Sequence, residues 1–184
     1  MIFDLIKNRR SIFPAQYSDK PIRKNDIERL LQAANWAPTH KKTEPWRFKV
    51  LLGKSKEDLG IFLSTKYEEV ADKPKLVKIK KLMYNPTKSA AVIAICMQWD
   101  PNESIPEWEE VAAVSMAVQN MWLCSTELGI GYYWSSPGLI KYMDGFFDLA
   151  DGEKCLDFLY LGHFDEDSPE GMRKPIEDKV VWLD

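Results

Sequence analysis

Eight consecutive apolar residues, AAVIAICM at positions 90–97, lie between polar flanks. A strand that is apolar on both faces must be covered on both faces, so this run predicts a central strand enclosed between two layers. Trp46, Phe48, Val50 and Leu52 alternate with Arg47 and Lys49, the pattern of a strand with one buried face, and Gly53 closes it. Further strands are predicted at 132–135 and at 155–161, the latter closed by Gly162, and VVWL at 180–183 is strand-like.

The helical signals are interleaved with these strands. Ile2, Leu5 and Ile6 share one face of a short helix that runs into Arg9 and Arg10 and ends at Ser11. Asn25 followed by Glu28 reads as a capping box for a helix with the stripe Ile27, Leu30, Leu31 and Ala34, and Pro38 makes Ala37 its end. Ser55 with Asp58 opens a helical stretch leading into a lysine-rich segment at 73–88, where Leu76, Ile79 and Met83 keep helical spacing. The long helix predicted at 107–128, ended by Gly129, carries apolar or small residues around most of its circumference. It therefore needs burial nearly all round, inside the domain or against a second subunit. A shorter helix is predicted at 139–149.

Helices and strands mixed in this irregular order, with few βαβ units, predict an α+β layer fold rather than a doubly wound one. Gly129-Ile-Gly131 is the nearest approach to a dinucleotide fingerprint, but Trp134 stands at the third glycine and the segment follows a helix where the motif needs a strand. With no repeat and no linker, the 184 residues are expected to form one domain, 1–184.

Charge narrows the partners. With 25 basic and 28 acidic residues the formal charge is −3, so there is no overall field to draw in nucleic acid or an acidic membrane, and any anion must be held locally. The N-terminal MIFDLIKNRRSIF has no basic leader with a long apolar stretch, and no run reaches the ~18 apolar residues of a membrane span, so a cytoplasmic protein is expected. Cys96, Cys124 and Cys155 are widely spaced in apolar surroundings and read as core thiols. His40 and His163 have no cysteine or carboxylate at metal-ligand spacing, which leaves little material for a metal site or a hydrolase triad.

Three segments remain as candidates for chemistry. Arg9-Arg10-Ser11 and, near the other terminus, Arg173-Lys174 suit one phosphate, because guanidinium forks satisfy several oxygens at once; equally, the first pair closes a surface helix, where cations complement the dipole. The loop Pro38-Thr39-His40-Lys41-Lys42-Thr43-Glu44-Pro45 sets hydroxyl, imidazole and ammonium groups just before a strand, a position from which loops often hold ligands, though an exposed loop histidine is the plain alternative. Tyr133-Trp134-Ser135-Ser136-Pro137-Gly138 joins a strand to a helix and offers hydroxyls, an indole and backbone N–H groups, or simply a cap at Ser136.

Taken in register, Arg9-Arg10-Ser11 after an amphipathic first helix, Ala37-Pro38 through Glu44-Pro45-Trp46-Arg47-Phe48, GIGYYWSSPG and the terminal RKPIED resemble the nitroreductase family in its smaller branch, over nearly the whole chain. The resemblance implies an α+β sandwich with a central, mostly antiparallel sheet flanked by helices, intertwined as a homodimer with FMN at the interface. It also implies that the C-terminal strand reaches over the partner. Arg9, Arg10 and Ser11 would bind the FMN phosphate and ribityl chain, with Arg173 closing on the phosphate. Pro38, Thr39 and His40 would approach from the partner subunit, and Trp134, Ser135 and Ser136 would line the isoalloxazine ring. Phe13 stands where many members carry a cation near the flavin's pyrimidine end, and Lys42 and Glu44 replace a common Asn and Gln; Lys42 is expected to take over the cationic role. Ser135 stands where close relatives carry Arg, which implies a less positive acceptor pocket.

The activity implied is hydride transfer from NADH or NADPH through FMN to a nitroaromatic, quinone or enone by a ping-pong route. The cofactor carries the chemistry, and no catalytic acid or base is required. The alternatives are a family member with a dedicated substrate, such as a dehalogenase or enone reductase, a flavin-binding or storage module without turnover, and a structural dimer without flavin. The excursion at 55–88 is expected to shape acceptor choice, its lysines serving either a donor's phosphates or a solvated helical face.

Overall fold

Four strands, β1 (Trp46–Leu51), β2 (Ala91–Gln98), β3 (Ile130–Ser135) and β4 (Glu153–His163), form one sheet in the order β1-β2-β4-β3, antiparallel throughout. The computed structural model describes residues 1–102, 104–165 and 170–183. The apolar run at 90–97 lies inside the sheet as expected, with every residue of β2 from Ala91 to Met97 buried. Its register sets Trp46 opposite Met97 on one side and Ala91 opposite Leu161 on the other. A bulge at Ile95/Cys96 then brings Cys96 opposite Cys155.

Among the described residues there are five α-helices, α1 (Ile2–Asn8), α2 (Lys24–Asn35), α3 (Lys54–Val70), α4 (Leu76–Lys88) and α5 (Glu107–Glu127), of which α2 to α5 cover the sheet and α1 lies against α5. Because strand side chains alternate, Ile93, Ile95 and Leu159 meet Leu30 of α2 and Ala117 and Met121 of α5 on one face. On the other face Val92, Ala94 and Phe158 meet Leu59 and Leu63 of α3, with Leu82 of α4 packed alongside. The result is an α+β sandwich, and no helix among the described residues is long and apolar enough to cross a membrane.

The first turn of α5 is acidic, which suits the positive end of a helix dipole. Each acid is tied to a different part of the chain. Lys154 Nζ lies 2.7 Å from Glu107, His40 Nδ1 donates to Glu109 at 2.5 Å, and the wholly buried Glu110 accepts the Asp100 N–H at 3.1 Å. Gly129 ends α5 with φ of +65°, a conformation few L residues adopt.

Several sequence expectations are corrected. The Asn25/Glu28 capping box does not form; the helix starts at Lys24, and Arg23 forks onto Asp26 with two bonds of 2.9 Å, satisfying the same turn by charge. The helix expected at 139–149 is only a 3-10 turn at Ile140–Gly145, since Gly145 weakens helix and Phe146 and Phe147 turn to pack on each other and on Phe62. Gly162 lies inside β4 rather than closing it. A β-carbon there would fall 2.3 Å from the Tyr17 ring, whose hydroxyl donates to the Tyr160 carbonyl at 2.8 Å. VVWL at 180–183 is not a strand within this chain: residues 170–183 are exposed throughout, with no neighbouring strand of the same chain to pair with. Nor is α5 covered all round by its own chain, for Trp108 is 69% exposed and Met116 40%.

Candidate functional site

The site begins where α1 stops. After Asn8 the backbone turns extended at Arg9, and two residues after Arg10 the Ile12 N–H donates to the Tyr132 carbonyl, laying the chain along the open edge of β3. Trp122 of α5 anchors this segment. Its indole N–H donates to the Arg10 carbonyl at 3.1 Å, its ring stacks on Tyr132 with centroids 4.9 Å apart, and the Arg9 guanidinium lies 4.1 Å from its centroid.

The two arginines then do different things. Arg10 Nη1 donates to the carbonyls of Lys7 at 2.7 Å and Arg9 at 2.8 Å, closing the C-terminus of α1 as the plain reading of the pair foresaw. Arg9 makes no such bond, and its buried Nη1 has no hydrogen-bond partner among the described residues. The C-terminal segment crosses directly over the pair: a β-carbon at Gly171 would fall 2.6 Å from the Arg10 guanidinium, so glycine permits the approach. Arg173 follows, and the termini thus meet around a cavity of about 540 Å³.

Lys7, Arg9, Arg10 and Arg173 line that cavity with Gln119 and Trp122, and no carboxylate does among the described residues. Loss of water, then the charges of Arg173 and Arg10, hold the Arg9 guanidinium below the usual arginine range. Like charges crowded without a counter-acid are unfavourable unless an anion completes the set. A phosphate monoester fits, because its oxygens match the forked donors and its double charge offsets the repulsion.

The other predicted residues lie elsewhere on the chain. Ser11 is exposed beside the cavity without lining it. Pro38, Thr39, His40 and Lys42 sit at the N-terminal end of α5, where His40 reaches Glu109 and Lys41 donates to the Ser104 carbonyl at 2.8 Å. Glu109 and Gln119 are separated by about 15 Å of helix, so within one chain this loop stands well away from the arginines. The loop is held in an uncommon shape: Lys41, Lys42 and Glu44 have φ of 50°, 57° and 45°. Each costs about 1 kcal/mol or more, and such strain concentrates where a loop has a task.

The strand period divides the third segment. Trp134 faces the α5 side of the sheet, while Ser135 faces the α4 side, opening into a second cavity of about 240 Å³. Asp157 of β4, opposite this turn, is half-buried. Burial pushes its carboxyl up from the usual range. Trp122, Gln119, Gly171 and Asp157 were not foreseen as site residues. Trp122 carries an apolar-periodicity signal identical to a core residue's, and nothing local marks the others.

Fold and cavity together describe an α+β protein fitted for a phosphate-bearing ligand at the seam of its two termini. The sequence matches the Nitroreductase family over residues 6–163, and the chain belongs to that family. It is 29% identical over 184 residues to the Bacillus subtilis protein named "Putative NAD(P)H nitroreductase YfhC", covering 98% of this chain and 93% of that one. A nitroreductase-like family protein from Bacillus cereus superposes with a TM-score of 0.87 at 30% identity, covering 100% of this chain and 96% of the other. A nitroreductase with bound FMN from Bacteroides fragilis shares the fold at a TM-score of 0.72 and 19% identity, covering 100% and 98%.

Proposed function

We propose that this protein is an FMN-dependent oxidoreductase that works as a homodimer. The convergence of Arg9, Arg10 and Arg173 on one cavity, with a buried Arg9 nitrogen that has no hydrogen-bond partner and no carboxylate in the lining among the described residues, is the observation that carries this reading. Arg9 and Arg173 would hold the FMN phosphate, Arg10 would support it while fixing the end of α1, and Ser11 lies beside them for the ribityl chain. When bound, FMN supplies hydride chemistry between NADH or NADPH and an electron-poor acceptor such as a nitroaromatic or quinone. The chain's own work is to bind, orient and limit access.

The dimer is supported by what one chain leaves open. Trp108 and Met116 expose apolar surface on α5, and beyond its crossing over Arg10 the C-terminal segment leaves Trp182 88% exposed. Large apolar groups in this density call for a partner. A second copy would cover α5 and give the tail something to lie against. It would also bring its Pro38, Thr39, His40 and Lys42 toward the first chain's arginines, which their own chain does not approach.

The visible spectrum of the purified protein tests cofactor and activity together. A flavin band is expected, bleached on anaerobic addition of NADH or NADPH and restored by a nitroaromatic. A band that persists with donor points to a flavin carrier instead, and a colourless protein that takes up no FMN removes the reading altogether. One shared place for donor and acceptor predicts parallel double-reciprocal plots.

A further inference from the structure

Lys78 and Lys81 stand on neighbouring turns of α4 and line the smaller cavity with Tyr133, Ser135 and Tyr160 of the sheet. Other lysines of the fold are paired: Lys49 with Glu153 at 2.8 Å and Lys88 with Asp19 at 2.7 Å. Lys78 and Lys81 make no ion pair among the described residues, and no carboxylate lines their cavity. Lys78 is also steered, its ammonium lying 4.5 Å over the Tyr67 ring.

The opposite wall is aromatic and fixed. Phe13 packs on Tyr133 with centroids 4.6 Å apart, and Tyr133 stacks on the buried Tyr160 at 6.1 Å. Two exposed lysine side chains that can swing their ammonium groups inward, a serine and an aromatic wall make a small concave surface suited to an aromatic anion. At about 240 Å³ it lies below the ~300–1,000 Å³ usual for whole drug-sized ligands, so it suits a compact group rather than a dinucleotide.

We infer that Lys78 and Lys81, with Ser135, hold the carboxylate of an aromatic acceptor, so that the protein prefers acidic acceptors to neutral ones of the same shape. The inference rests on the oxidoreductase reading, because Ser135 belongs to the turn expected beside the isoalloxazine ring; Lys78 and Lys81 would supply from α4 the positive charge that Ser135, standing where close relatives carry Arg, does not.

The test is a titration of 4-nitrobenzoate and 4-nitrobenzamide into the oxidised, FMN-loaded protein, without donor, followed by flavin absorbance. The expected result is about tenfold tighter binding of the benzoate, reduced by salt, abolished in Lys78→Gln/Lys81→Gln and kept in Lys78→Arg/Lys81→Arg. Equal affinities in the natural protein, or a Gln variant that keeps the preference, overturns the assignment. So does a Gln variant whose benzoate preference is intact while NADPH binding weakens, since the lysines would then serve the donor's phosphates. Should the protein take up no FMN, the oxidoreductase reading falls by itself, and the same titration followed by tryptophan fluorescence still reads the preference.

Discussion

At Arg9 the guanidinium gives up water without gaining a carboxylate, whereas its neighbour Arg10 spends its donors on the end of a helix. The two residues are alike in sequence, yet Arg10 closes the helix and Arg9 is the one we propose to meet a phosphate. Charge-assisted bonds are worth about 1.5–3 kcal/mol, so Arg9→Ala and Arg173→Ala are each expected to weaken FMN binding about 10–100-fold in a fluorescence titration. Unchanged affinity in both would mean the phosphate sits elsewhere. Asp157 gives a pH signature. Its folded-state pKa is raised by burial, so its contribution is full at low pH and is lost as pH rises through that value. Relative to Asp157→Asn, the natural protein should therefore gain thermal stability between pH 7 and pH about 4; a difference that does not vary with pH would show the carboxyl is not desolvated.

Elements were legible where periodicity is set by burial. The central strand and α5 follow directly from apolar pattern, and β1 from alternation, because the same residues that fill the two cores write those patterns. Elements whose state depends on a neighbour were less so. The 139–149 segment has helical composition yet makes only a 3-10 turn, because Phe146 and Phe147 gain more by packing inward. Gly162 looked like a strand terminator and is instead the gap that admits Tyr17 against β4. Gly162→Ala is therefore expected to destabilise the fold by about 1–3 kcal/mol through overpacking, read from chemical denaturation. Tyr17→Ala in the same background should recover part of that loss if the clash is the cause.

At the scale of the molecule, the three groups of candidate residues stand apart within one chain, and a second copy is proposed to bring them together. The arginine cavity, the strained His40 loop and the Ser135 cavity lie at separate stations around α5 and the sheet. Besides these, α5 and residues 170–183 carry apolar surface that this chain leaves uncovered. The protein is expected to sediment as a dimer. Removing residues 174–184 should weaken the dimer and make the melting temperature depend more steeply on protein concentration, as analytical ultracentrifugation and melts at several concentrations would reveal. A truncated chain that sediments unchanged would remove the tail from the interface.

The amino-acid sequence by itself determined the layers, the central strand, the long apolar helix and the cationic clusters, since hydrophobic period and charge are local properties of the chain. It also carried the family, whose residues recur in order from Arg9 to Lys174. Only the tertiary structure decided that Arg9 rests on Trp122 with a buried nitrogen that has no hydrogen-bond partner among the described residues, that Trp122 carries the cluster, and that Trp134 and Ser135 part to opposite faces. Those outcomes depend on which distant segments pack together, and burial, not residue type, sets whether a charged or aromatic group is structural or open to a ligand.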